Sequence, residues 1–344
     1  MKMRFFLIFM LFVLVLVAPL ATVAQDKAGT SGAPELLINL GAKEVAMSGA
    51  PISSVMGVDA IYWNPAGLDY NSTGASVLFS HRSYIADIGI NYLALGSKLG
   101  SFGSVGLTLR TFGIGDINVT TEDQTDGTGE IISPTFFVLG ATYSKQLTDN
   151  VSVGANFNIV NESFGRVSAS GIAIDAGVQY RNLGGVKGLG VGVCVKNIGT
   201  SMQYGGSGLW VAADVPTSQR GLTPYKVEAA SYQMPSIIEI GLGYHMDLGP
   251  SSGLLLSGAF TNDNYGIDQY KVGAQLGFVN SLYLRAGYVY STSPNGLKSI
   301  FQNFTMGFGV DLKEYLGVPL SVDYAYVPVQ YFDANQIFDI HLDF

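Results

Sequence analysis

The sequence contains one cysteine, Cys194, and three widely separated histidines, His81, His245 and His341. A lone thiol cannot form an intramolecular disulfide. Histidines without a common spacing form no metal-ligand motif, so no metal is expected. Charge is scarce too. Asp, Glu, Lys and Arg make up 13% of the 344 residues, against about 25% in an ordinary soluble domain. The net charge of −8 argues against nucleic acid as a partner, because binding it needs a basic footprint. No local motif supplies a Ser/His/Asp arrangement. Gly184-Gly185-Val186-Lys187-Gly188 lacks the full phosphate-binding loop and its following helix, and reads as a turn. No catalytic residue and no cofactor are expected.

One long apolar run is present, and it stands at the start. Lys2 and Arg4 precede the uninterrupted stretch Phe5 to Val17; Pro19 and the small residues around Thr22-Val23-Ala24 follow. That order is a secretory signal, with cleavage expected after Ala24. The run is too short for a spanning helix, which needs roughly 20 residues. No cysteine stands near the cleavage site to make a lipoprotein. An exported chain is expected, and nothing after the signal is long and apolar enough to be a transmembrane helix.

The remaining apolar residues are spread out in alternation. Ile238, Ile240, Leu242, Tyr244, Met246 and Leu248 are separated by Glu239, Gly241, Gly243, His245 and Asp247. Ile172, Ile174, Ala176, Val178 and Tyr180 alternate with Ala173, Asp175, Gly177 and Gln179, and Phe304, Met306, Phe308 and Val310 behave likewise. A period of two puts the two sets on opposite faces of a strand. One face is aliphatic or aromatic; the other is Gly, Ser, Asn and Gln with few charges. This fits an antiparallel transmembrane β-barrel with a lipid-facing exterior and a polar lumen. A soluble sandwich is the rival, but its outer face should carry more charge.

About 14 strands are expected, over 75–83, 88–99, 103–119, 131–146, 149–163, 170–182, 188–199, 235–248, 252–264, 268–279, 281–291, 302–313, 319–331 and 335–344. The even number suits a bacterial single-chain barrel. Segments 103–119 and 131–146 are long enough that they must project beyond the bilayer or be broken by bulges. Tyr288, Tyr290, Tyr324, Tyr326, Tyr331 and Phe332 gather near strand ends like an interfacial girdle. Short connections such as 147–150 and 248–251 should be periplasmic. The long ones, 120–130, 199–235 and 291–301, should face outside. The longest holds Trp210, Arg220, Tyr225 and Lys226, and reads either as a partner-binding loop or as a loosely folded cap. Phe338, Ile340, Leu342 and the final Phe344 alternate with polar residues and resemble the terminal signal read by outer-membrane assembly machinery. Glu239, Asp247, Lys271, Arg285, Asp311 and Asp323 are expected to pair across the lumen and hold its contents.

Residues 25–74 do not alternate. They contain Gly41-Ala42-Lys43-Glu44-Val45-Ala46-Met47-Ser48-Gly49-Ala50 and Asp59-Ala60-Ile61-Tyr62-Trp63-Asn64-Pro65-Ala66-Gly67-Leu68. The first run suits a short helix, and Asn64-Pro65 with Gly67 favours a turn. A small-residue segment ahead of a barrel is expected to fold into the lumen as a plug. The organisation is then a signal at 1–24, a hatch at 25–74 and a barrel at 75–344.

These two runs, the turn from Tyr143 to Gly154 and Met234-Pro235 resemble the PorV/PorQ family, itself similar to the FadL group of long-chain fatty-acid transporters. The resemblance implies a 14-stranded barrel with an internal hatch and no enzymatic activity. It implies outer-membrane lipid around the barrel, and exported type IX secretion cargo and attachment-complex proteins as partners. On the FadL side it implies a hydrophobic small molecule passing a hatch gate. Asp59, Asn64, Pro65, Ala66 and Gly67 form the hatch motif, and on that side the resemblance implies that they gate the ligand.

Overall fold

The computed structural model describes residues 29–70, 74–214, 221–279, 281–292, 299–301 and 303–344. The expected signal segment and Arg220 lie outside them. Fourteen strands form the wall: β1 Ala75–Ser83, β2 Gly89–Lys98, β3 Ser104–Gly113, β4 Thr135–Gln146, β5 Val151–Phe164, β6 Val167–Arg181, β7 Leu189–Gly199, β8 Ile237–Gly249, β9 Ser252–Asp263, β10 Asp268–Phe278, β11 Leu282–Thr292, β12 Phe304–Asp311, β13 Leu320–Val327 and β14 Asn335–Asp343. Each pairs antiparallel with its neighbours in the chain, and β14 closes on β1 with Val77 opposite Leu342. Closure leaves no unpaired edge, which hydrocarbon would not tolerate.

The alternation is turned inside out relative to a soluble protein. On β6, Ile172, Ile174 and Val178 are exposed, while Ala173, Asp175 and Gln179 are buried. Phe338 and Ile340 likewise point outward from β14, and Phe344 is the most exposed of that terminal set. Phe344 also ties the barrel closed, its backbone N–H donating to the Ala75 carbonyl at 2.8 Å. Tyr288, Tyr290, Tyr331 and Phe332 are exposed towards the rim that carries the long loops.

The two over-long segments leave the wall at one end. β3 ends at Gly113, and the residues beyond it form a separate small hairpin, Ile117–Asn118 against Ile131–Ile132. β4 accordingly starts at Thr135. Segments 302–313 and 319–331 shorten to β12 and β13. The loop after β7 is folded in its described parts: Met202–Gln203 pairs with Ser231–Tyr232, and Trp210–Ala213 with Thr223–Lys226. A β-bulge between β6 and β7 places Asn197 at φ +59°, with its N–H donating to Asp175 Oδ1 at 2.8 Å. Asn tolerates that left-handed conformation better than most residues.

The core of this protein is inside the barrel. The hatch, residues 29–70, contributes Leu36, Leu40, Val45, Val58, Ile61, Trp63 and Leu68 to a buried cluster. Leu78, Ile90, Tyr92, Val138, Val160 and Ile337 from the inner wall join them. The lumen is packed rather than open.

Candidate functional site

The hatch is short and irregular, so few of its backbone groups are satisfied within its own helices. Ala42–Val45 and Ala60–Trp63 are single helical turns, and Pro65–Tyr70 is a 3-10 segment. The remaining carbonyls need donors, because buried backbone polar groups are costly when unpaired. The lumen face supplies them. Ser152 and Ser144 hydroxyls donate to the Ala66 carbonyl at 2.6 and 3.0 Å. Gln179 Nε2 donates to the Ile52 and Val55 carbonyls at 3.1 and 3.0 Å, and Asn156 Nδ2 to the Ile61 carbonyl at 2.7 Å. The Ser/Asn/Gln face is a hydrogen-bonding mould for the hatch.

Asn64 works in the other direction. Its Nδ2 donates to the carbonyls of Ile52, in the hatch, and Val178, in the wall, at 3.1 and 3.2 Å, while its Oδ1 accepts from Ala66 N–H at 3.3 Å. Asn64, Pro65, Ala66 and Gly67 are all buried. The wall behind them has to be glycine. A Cβ on Gly177 would stand 2.0 Å from Asn64 Oδ1, and one on Gly154 would stand 2.4 Å from the Pro65 carbonyl carbon. Further along, Asp69 Oδ1 accepts from Ser104 Oγ at 2.6 Å and its Oδ2 from Gln146 N–H at 2.7 Å. The alternation places these strand positions in the lumen without revealing that a backbone lies against them.

Asp59 sits in a charged network linking hatch to wall. Lys43 Nζ lies 2.7 Å from Asp59 Oδ2, and His341 Nε2 lies 2.8 Å from Asp59 Oδ1. The other His341 nitrogen is 3.5 Å from Asp323, which in turn pairs with Arg285. Carboxylates on both sides of the ring suit a doubly protonated imidazole. Burial pushes Asp59 up, but His341 and Lys43 outweigh it and hold the carboxyl well below its usual range. Burial pushes Lys43 down, and Asp59 with Asp323 and Glu44 more than reverses that. Asp339 Oδ2 accepts the Ala42 N–H at 2.5 Å, at the start of the hatch's first helical turn. Asp59, Asp339 and His341 bring donor atoms within 4.8 Å of one another, but Lys43 already occupies the cation position on Asp59.

Aromatic contacts complete the joint. Tyr62 and Trp63 meet edge-on at 5.0 Å, and their polar ends donate to the Ile38 and Leu40 carbonyls, each at 3.0 Å. Lys196 lies over both rings and pairs with Glu239 at 2.6 Å, which also holds Lys271 at 3.1 Å.

Of the lumen charges read from the sequence, Glu239, Lys271, Arg285 and Asp323 are buried and paired. Asp247 and Asp311 are corrections. Asp247 is exposed at the short-turn rim, 3.3 Å from Lys187, and Asp311 accepts from Lys313 N–H in the turn after β12. His245, also read as a lumen residue, is exposed beside Asp247. Period two fixes a residue's face; it does not fix its height along the strand. In the long loop, Trp210 stands opposite Lys226 and Val211 opposite Tyr225 on an exposed hairpin.

Residues 21–220 match the family model described as "Type IX secretion system protein PorV". A search of curated protein sequences finds no match. Among solved structures, the CymD monoaromatic hydrocarbon channel is similar over 90% of this chain and 98% of its own, at 15% identity and a TM-score of 0.60. A Pseudomonas aeruginosa FadL homologue covers 89% of this chain and 99% of its own, at 12% identity and a TM-score of 0.55. The Pseudomonas putida toluene transporter TodX covers 87% and 95%, at 15% identity and a TM-score of 0.53. Identities this low establish a common fold.

Proposed function

The chain belongs to the PorV family of type IX secretion system proteins, and from that premise we propose that it is a non-enzymatic component of type IX protein secretion and surface attachment that holds exported cargo at its long-loop rim. The observation that supports this reading is the hatch, mortised into the lumen by Asn64, Asp59 and the Ser/Gln donors of the wall. A filled barrel offers partners a rim, not a pore. On that rim the hairpin carrying Trp210, Val211, Tyr225 and Lys226 exposes aromatic and aliphatic surface of the kind that anchors protein interfaces. The short turns lie on the periplasmic side and the long loops outside, as in other barrels of this class.

The test is purification of the protein from its native membrane, with identification of what comes with it. Exported proteins sharing a C-terminal domain are expected, and a Trp210→Ala/Tyr225→Ala variant should lose them. Recovery of fatty acid or hydrocarbon with no protein partner would sink the secretion reading. It would favour the second one, FadL-like transport of a hydrophobic molecule, to which the fold shared with hydrocarbon channels lends support. That reading requires the tightly seated Asn64-Pro65-Ala66-Gly67 segment to leave its glycine bed.

A further inference from the structure

The outward face of β4 carries a depression. Ala141 stands between Leu107 of β3 and Phe157 of β5, and Leu139 stands between Leu109 and Ile159. Ala141 is the one small side chain of these six, and it opens a lipid-facing groove of about 350 Å³. The lining of such a void forfeits dispersion contacts unless something narrow enters it. The convex wall of a second barrel cannot follow a trough one side chain wide, whereas a flexible alkyl chain can. All six side chains are hydrocarbon, so they do not orient a polar ligand.

Beyond Ala141 on the same outward face come Tyr143 and then Lys145, at the short-turn end of β4. Tyr143 packs against exposed Phe102 at 5.3 Å and its hydroxyl donates to the Phe102 carbonyl at 2.7 Å. Such a pair suits an interfacial aromatic belt. Lys43, Lys187, Lys196 and Lys271 each pair with a carboxylate, whereas Lys145 has no such partner among the described residues. From Lys145 to Leu139 the strand runs roughly 20 Å, or roughly 15 Å of depth at the usual barrel tilt. That depth is half of a hydrocarbon core roughly 30 Å thick. The groove and its lysine therefore span one leaflet, on the side of the short turns.

We propose that this groove seats one acyl chain of a phospholipid from the periplasmic leaflet, with its phosphate on Lys145. The site lies outside the barrel, so it does not depend on which of the two functions above holds. It rests on the placement of the short turns in the periplasm. Lysine meets a phosphate as a point charge, and one such contact at a membrane surface is worth about fivefold in affinity.

The experiment titrates the delipidated full-length protein in detergent and reads bound lipid by native mass spectrometry. The probes are palmitoyl-oleoyl phosphatidylglycerol, a diacylglycerol with the same chains, and hexa-acylated lipid A. One phosphatidylglycerol should bind about fivefold more tightly than the diacylglycerol. Lys145→Gln should erase that difference without weakening the diacylglycerol. Ala141→Phe fills the groove and should weaken both at least about tenfold. Ala286→Phe, an outward enlargement on β11 in the opposite wall, should change neither. All three variants face lipid rather than the packed lumen, so the barrel should assemble. No loss from Ala141→Phe, or an equal loss from Ala286→Phe, overturns the groove. Equal binding of phosphatidylglycerol and diacylglycerol by the parent overturns the phosphate contact. Tighter binding of lipid A than of phosphatidylglycerol overturns the phospholipid and its leaflet.

Discussion

The hatch meets the barrel in two different ways on its two sides. Against β4 to β7 it is moulded: Asn64 and Pro65 lie on Gly177 and Gly154, and Ser144, Ser152 and Gln179 satisfy its carbonyls. Against β10 to β13 the fit loosens towards the long-loop rim. Ser48 and Thr305 still meet at 2.9 Å, but above them a cavity opens beside Arg82. The second flank is tight lower down, where a Cβ on Gly287 would stand 2.4 Å from the Met47 carbonyl carbon, so the plug is seated on both sides and leaves space only at the long-loop rim of the second. Side-chain volume should therefore be forbidden on the first flank and tolerated at the rim of the second.

The largest effect is expected from Gly177→Leu, because the new side chain needs the space of the Asn64 side-chain amide, which three hydrogen bonds hold in place. Overpacking a rigid site costs about 1–3 kcal/mol, and the broken bonds add to it. The expected outcome is a barrel that assembles with its hatch displaced, read as limited proteolysis within residues 50–70 and a lowered melting temperature. Asn64→Ala should follow at about 1–3 kcal/mol, since the Val178 carbonyl and the Ala66 N–H lose their bonds to its side chain and the Ile52 carbonyl keeps only Gln179. Thermal unfolding in one detergent measures both. If Gly177→Leu melts like the parent, the moulded flank is not the anchor.

Much of this was legible from sequence, and the part that was not has a physical reason. The fourteen strands follow from period two, because lipid outside and polar groups inside separate the two residue sets cleanly. The hatch follows from the break in that period and from the runs at 41–50 and 59–68. Which glycines carry the hatch was not legible. Gly177 facing water and Gly177 facing Asn64 are the same letter in the same alternation. The Asp59–His341 contact joins positions 282 apart, and no local pattern reports it. Asp247 and Asp311 were misplaced for a related reason: the alternation gives side and not depth. Arg82, beside the cavity, carried no signal at all, because the Asn39 carbonyl it meets lies 43 positions away.

A third expectation concerns pH and the first turn of the hatch. Glu35 is buried facing Glu162, with Arg110 nearby and Tyr204 and Tyr232 hydrogen-bonded to Glu162. Burial first, then the Glu162 charge, pushes the Glu35 carboxyl from 4.5 to about 8. The folded chain therefore keeps a proton that the unfolded chain releases above pH 4.5. Stability from this group is greatest below 4.5, falls as pH rises, and levels off above about 8. Amide protection at residues 35–38, taken relative to the intrinsic exchange rate at each pH, should fall across that window, and Glu35→Gln should flatten the profile. A profile unchanged by the substitution would remove Glu35 as its source.

The smallest effect should come from adding bulk on the loose flank. Val289 faces the cavity from β11, and Val289→Phe adds a ring where the wall and hatch leave about 180 Å³. Filling a void regains dispersion contacts that its lining lacks, so stability should stay within about 1 kcal/mol of the parent and can rise. The two enlargements form a matched pair: both place a large apolar side chain on an inward strand position beside the hatch. A loss from Val289→Phe comparable to that from Gly177→Leu would show that the rim of the second flank is packed as rigidly as the rest of the seat. Retained stability in Val289→Phe, set against collapse in Gly177→Leu, would establish that the space beside Arg82 is built into the fold.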